Sequence, residues 1–148
     1  MLSFVVPGTP VPQGSMKAFV VRGRAILKPD NEKELHAWRE KIARAVTLAS
    51  GGRLIGDNVP ITVRATFRLQ PPVTMPKGRI AATVAPDADK LLRAVLDGMT
   101  INEYGAVGKL GLYLDDKQVI DAHAMKVYAT PAHPPGAYIE VEYQEAML

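Results

Sequence analysis

Residues 61–69, Ile-Thr-Val-Arg-Ala-Thr-Phe-Arg-Leu, constrain the fold most. Ile61, Val63, Ala65, Phe67 and Leu69 alternate with polar or basic residues, the two-residue period of a β-strand. Helical patterns flank this strand on both sides. Upstream, Leu35, Trp38, Ile42, Val46 and Leu48 recur near helical spacing, with Asp30 or Asn31 as a cap and Glu34 placed to close a capping box. Gly51-Gly52 should end that helix. Downstream, Leu91, Leu92, Val95, Leu96 and Met99 form a second amphipathic stripe. Shorter strands are predicted at Leu2–Val6, at Lys17–Val21 and Ala25–Lys28 (a hairpin joined across Arg22-Gly23-Arg24), at Val119–Tyr128 and at Ala137–Tyr143. The order β-ββ-α-β-α-β-β describes an α+β fold, a mixed sheet packed with two main helices.

Two stretches have no firm period. Residues 70–86 carry four prolines and Gly78, and read as a long mobile loop, a kind that is commonly functional. Residues 100–113 hold Gly105, Gly108 and Gly111, and read as a loop or ribbon.

At 148 residues the chain is expected to be one domain, 1–148, with a core that needs no disulfide. It has no cysteine, which excludes thiolate zinc sites and fits a reducing cytosol. No apolar run reaches membrane-spanning length, and the opening MLSFVVPGTPVPQGS lacks the basic start of a signal peptide. Net charge is +3 but uneven: residues 1–54 carry nine Lys/Arg against four Asp/Glu, and the remainder nine against eleven. A basic front and an acidic back suit a protein that holds a polyanion and also binds a cation.

The acidic residues fall in two informative stretches. The first is Pro86-Asp87-Ala88-Asp89-Lys90-Leu91-Leu92-Arg93. With the helical period starting at Leu91, Asp87 and Asp89 are expected on the extended approach, where residues two apart share a side. Asp89 would lie near the N-cap, beside free backbone N–H groups that favour a phosphate. The second is Leu114-Asp115-Asp116-Lys117-Gln118-Val119-Ile120-Asp121, where a glycine-rich loop runs into a strand. Taken singly, Asp89 reads as a cap and Asp115-Asp116 as a turn. Taken together, converging carboxylates repel one another, and a divalent cation relieves the repulsion. Oxygen-only ligands select Mg2+ or Mn2+. Such an ion polarises a phosphoryl oxygen and activates water.

The two stretches together resemble the RusA-like family of Holliday-junction resolvases. That family shows an Asp-x-Asp-Asn opening a helix, a lysine four residues after the second Asp, then Asp-Asp-x-Gln-Val-Val-Asp leading into a strand. The likeness spans about residues 86–128, and Pro10-Val11-Pro12-Gln13-Gly14-Ser15 resembles the opening of phage-borne members. The resemblance implies a metal-dependent endodeoxyribonuclease with metal ligands Asp87, Asp89 and Asp116. It implies Mg2+ as cofactor, with Mn2+ able to substitute. It further implies a homodimer that resolves four-way or other branched DNA by paired symmetric nicks in recombination and repair. The family lysine falls on Arg93, which keeps the charge but not the geometry, and Lys90 stands where the family has Asn. Either one is a candidate to steady the scissile phosphate. Thr100–Tyr113 is longer than in compact members: a junction-contacting ribbon or a tolerated insertion.

Candidate phosphate contacts are Lys17, Arg22, Arg24 and Lys28 on the hairpin, Lys77 and Arg79 on the loop, and Lys126. Trp38 reads as core. His36, His123 and His133 have no zinc spacing, and nucleotide-binding and serine-hydrolase motifs are absent. The alternatives are a non-catalytic branched-DNA-binding protein on the same fold, which the arginine at 93 favours, and a metal-binding fold without a nucleic-acid role.

Overall fold

In the computed structural model, which describes residues 1–14, 16–29 and 31–144, the alternating segment becomes an interior strand of a sheet. The elements are β1 (Leu2–Pro7), β2 (Met16–Val21), β3 (Arg24–Pro29), α1 (Glu32–Ser50), β4 (Ile61–Leu69), α2 (Ala88–Met99), β5 (Asn102–Glu103), β6 (Lys109–Leu110), β7 (Val119–Tyr128) and β8 (Gly136–Tyr143). The main sheet has the order β1-β8-β4-β7. β8 pairs antiparallel with β1 and β4, and β4 pairs in parallel with β7. A parallel pair needs a long crossover, and α2 lies in the connection. The fold is α+β, in the predicted order, with the small β5–β6 ribbon added inside the 100–113 stretch.

One face of the sheet carries the core. Ile61, Val63, Ala65 and Phe67 of β4, Ile139 and Val141 of β8, and Val6 of β1 are buried. They form one cluster with Leu35, Trp38, Ile42 and Val46 of α1 and Leu91, Ala94, Val95 and Met99 of α2. Each such large apolar side chain contributes about 1.5–3 kcal/mol on burial. Trp38 is therefore core, as predicted. Leu48, assigned to the same stripe, is exposed instead. It lies only two residues beyond Val46, which turns it to the opposite side of the helix.

The predicted capping box does not form. Asn31 occupies the N-cap position without a side-chain cap bond. Its Nδ2 donates to Pro12 O at 3.0 Å, tying the N-terminal loop to the start of α1. Asp30, the other cap candidate, lies outside the described residues. At the far end Gly51 takes the left-handed conformation and closes α1 as expected.

Among the described residues, β2 and β3 pair only with each other. Arg22 (φ 52°) and Gly23 (φ 75°) both sit in the left-handed region, which gives the two-residue turn whose twist matches a hairpin. Residues 70–86 contain no helix or strand, although Ala82 is buried. Among the described residues, no helix is long and apolar enough to cross a membrane.

Candidate active site

The start of α2 differs from the sequence expectation in one respect that matters. The helix begins at Ala88, not near Leu91. Asp87 is the extended N-cap residue (φ −71°, ψ 142°), and Leu91 N donates to Asp87 O at 3.0 Å to close the first turn. Asp89 therefore lies inside that turn, and the side-sharing of an extended chain does not apply to the pair. Asp87 makes no side-chain cap bond; its Oδ2 faces Lys90 Nζ at 3.6 Å. Both acids are exposed, as is Arg93 one turn further on.

Asp115 and Asp116 occupy a tight turn just before β7. Asp115 Oδ1 accepts from Lys117 N at 2.9 Å, and Gln118 N donates to Asp115 O at 3.2 Å. Gln118 is buried, and its Nε2 donates to Gly56 O at 2.7 Å. The glutamine of the acidic motif is thus a bracket that ties the turn to the loop before β4. Asp115 is committed to shaping the turn, and Asp116 is the half-buried carboxyl beside it.

Asp116 sits against the last turns of α2. Burial raises its carboxyl above the ordinary carboxylate range, and a hydrogen-bonding contact and like charge from Asp97, then Asp115, push it further. Asp97 was not singled out from the sequence as a site residue. Asp89, Arg93 and Asp97 are spaced by four, so they share one face of α2. That spacing was the available signal. Eight residues separate Asp89 from Asp97, about 12 Å of helix rise. The structure thus sets Asp116 beside Asp97, near one end of α2, with Asp87 and Asp89 at the other. Among the described residues, no three Asp, Glu, His or Cys side chains are grouped to hold an ion between them.

Asp97, Asp115 and Asp116 line a cleft of about 310 Å³ together with Arg39, Thr100, Asn102 and Tyr104. The β5–β6 ribbon supplies one wall through Asn102 and adjacent Tyr104, so the 100–113 stretch is part of the cleft. Below it, buried Tyr113 donates from its hydroxyl to Leu96 O at 2.6 Å. Burial, then Asp116 and Asp97, holds that phenol protonated. The last turn of α2 has no basic residue, and a helix C-terminus carries partial negative charge. Clustered carboxyls and a helix C-terminus make a spot that attracts a cation, and donors of oxygen alone suit a hard one.

The N-terminal loop closes over α2. Gln13 N donates to Lys90 O at 2.9 Å. Gln13 Nε2 donates to Asp97 Oδ2, and Gln13 Oε1 accepts from Arg39 Nη1 at 3.2 Å. No spacing rule could have brought Gln13, Arg39 and Asp97 together, because 84 residues separate Gln13 from Asp97.

The basic candidates are dispersed. Arg22 and Arg24 lie at the exposed hairpin tip, and Lys77 and Arg79 on the 70–86 loop. Lys17 and Lys28 are register partners on β2 and β3; their side chains lie outside the described residues. Lys126 is engaged elsewhere. Its Nζ donates to Val84 O at 2.6 Å and to Pro86 O at 2.8 Å, gripping the segment that leads into Asp87. On the expectation that this is a junction-cleaving enzyme with Asp87 as a metal ligand, Lys126→Met should lower cleavage by roughly tenfold to a hundredfold through misplacement of Asp87. It should leave the salt dependence of DNA binding unchanged, whereas losing a phosphate contact would reduce the log–log slope by about 1. Filter binding across a salt series measures that slope.

An α+β frame with a carboxylate-lined cleft at the end of α2 offers oxygen donors of the kind a hard cation would take. Comparison with known families makes it specific: the family Endodeoxyribonuclease RusA matches residues 7–142, and the chain belongs to that family. Membership makes it an endonuclease of the Holliday-junction-resolving kind. No curated protein matches the chain.

Proposed function

We propose that this chain is a Mg2+-dependent, structure-selective endonuclease that resolves four-way or other branched DNA by paired symmetric nicks. It would act in the cytoplasm as a homodimer, the whole chain working as one domain. Two copies related by a two-fold axis suit a two-fold symmetric junction. The observation that carries the reading is the crowding of Asp116 against Asp97 and Asp115 in one cleft, in a chain of the RusA endodeoxyribonuclease family.

In this reading Asp116 on the β7 side and Asp87 and Asp89 on the α2 side supply the oxygen ligands. The donor chemistry fits Mg2+, and Mn2+ would substitute. A bound ion would polarise the phosphoryl oxygen and lower the pKa of the attacking water. Arg93 or Lys90 steadies the scissile phosphate, and the basic hairpin and loop hold the DNA arms. Asp89→Asn should bind a synthetic four-way junction as wild type does and lose cleavage. Normal cutting by that variant would remove Asp89 from the site.

A second reading, a junction-binding protein that does not cut, is favoured by the separation of Asp116 from the first turn of α2 and by Arg93 in place of lysine. It requires junction binding without nicks in Mg2+ or Mn2+.

A further inference from the structure

The loop over residues 8–14 precedes the whole acidic region in sequence, yet it is fastened at three points around it. Gln13 N is bonded to the backbone of α2 at Lys90 O. Pro12 O accepts from Asn31 at the start of α1. The Gln13 side chain bridges Arg39 of α1 and Asp97 of α2. Both polar ends of that amide are used, and in the only sense that satisfies both partners: the NH2 donates to a carboxylate and the oxygen accepts from a guanidinium. A glutamine held at both ends is a rigid strut and not a solvated side chain.

The strut acts on one carboxylate. Asp97 has one oxygen on Gln13, and its carboxyl is in hydrogen-bonding contact with Asp116 in the same cleft. Two carboxyls that face each other tend to swing apart when ionised, since rotation relieves the repulsion. A donor fixed on Oδ2 of Asp97 opposes that rotation and keeps the carboxylate in place. Arg39 adds a positive charge to the same cleft and braces the strut through Gln13 Oε1. We propose that Gln13 is a positioning residue: its side-chain amide, braced by Arg39, holds Asp97 in a fixed orientation beside Asp116, so that the N-terminal loop completes the carboxylate site. The proposal rests on the reading of Asp116 as a cation ligand.

The test is calorimetric titration of the full chain with Mn2+ in the absence of DNA, so that no turnover is needed. Gln13→Met keeps the length and volume of the side chain and removes both bonds. It should weaken Mn2+ binding by roughly tenfold to a hundredfold, the usual cost of losing a residue that orients a ligand. Its Tm should stay within about 2 °C of wild type, since a half-exposed bridge contributes little to folding. Gln13→Asn keeps the amide on a shorter stem and serves if the methionine variant does not fold; it too should weaken binding. Mn2+ affinity equal to wild type in a folded Gln13 variant would overturn the proposal while leaving the Asp116 reading intact. Failure of wild type to bind Mn2+, or wild-type affinity in Asp116→Asn, would overturn both.

Discussion

Asp116→Asn should abolish junction cleavage, with a loss greater than about a hundredfold, while junction binding persists. Losing a residue that merely orients a ligand costs tenfold to a hundredfold, so losing the ligand's charge sets a higher floor. Asparagine keeps the shape and one oxygen donor, so the turn before β7 is preserved. Asp115 Oδ1 and Gln118 Nε2 continue to bracket it. The same substitution should make the protein more stable at neutral pH. Burial, Asp97 and Asp115 hold the Asp116 carboxyl above its unfolded value. A group raised in this way favours the fold at low pH, where it is protonated in both states, and loses that contribution as pH rises through its folded value. The variant's gain in Tm should therefore appear at pH 7 and vanish near pH 3, as read by scanning fluorimetry in EDTA. A variant that cuts at the wild-type rate would remove Asp116 from catalysis. A variant with lower Tm at pH 7 would contradict the crowding of carboxyls.

Gly111→Ala should be the most damaging small substitution for the fold, at about 3 kcal/mol or an 8 °C fall in Tm. Gly111 has φ +138°, which disfavours any side chain. A Cβ there would stand 2.6 Å from Ile101 Cα and 2.7 Å from Ile101 N, and both atoms are backbone. Ile101 cannot retreat cheaply. Its N–H donates to Tyr113 O at 2.9 Å, and Leu112 N donates to Met99 O at 2.8 Å, clamping the ribbon to the end of α2. Gly111 N itself donates to Thr47 Oγ1 at 2.9 Å on α1. The stretch is thus a built part of the molecule, and it carries one wall of the acidic cleft and the approach to Asp116. Urea denaturation should show a lower midpoint with an unchanged slope. A Tm within about 2 °C of wild type would show that the close approach is not needed.

Period-based features were the most legible in the sequence. The alternation of 61–69 locates β4 to the residue, and the stripes of α1 and α2 identify the core positions that face the sheet. Capping was less legible, because it depends on what else competes for the side chain. Asn31 serves Pro12 O and not the helix, and Asp87 ends its turn by backbone alone. The site was half legible. The motif spacing singled out Asp116, which lies in the acidic cleft, and the first turn of α2, which lies apart from it, while the spacing of Asp89, Arg93 and Asp97 contained the fourth acid unread. Gln13 and Lys126 were beyond reach. Their partners, Asp97 at one end and Val84 and Pro86 at the other, are set by tertiary packing that no local pattern encodes. A basic residue near a strand end reads as a phosphate contact when its carbonyl partners are not in view.

The acids are also arranged less simply than a single three-carboxylate cluster. Asp87 and Asp89 open α2, while Asp116 joins Asp97 about two turns along it. A cation that draws both groups together would have to overcome the present pairing of Asp87 with Lys90. That pair is exposed and weak, on the order of 0.5 kcal/mol, so the larger demand on a divalent ion is the roughly two turns of α2 between Asp89 and Asp97. The most direct measurement is cleavage of an end-labelled synthetic four-way junction and of a linear duplex with the same arm sequence, each in Mg2+ and in EDTA. Nicks in the junction alone, at symmetric positions and only with Mg2+, are the expected result. A junction that is bound but never nicked in Mg2+ or Mn2+, or nicking that persists in EDTA, would contradict the account.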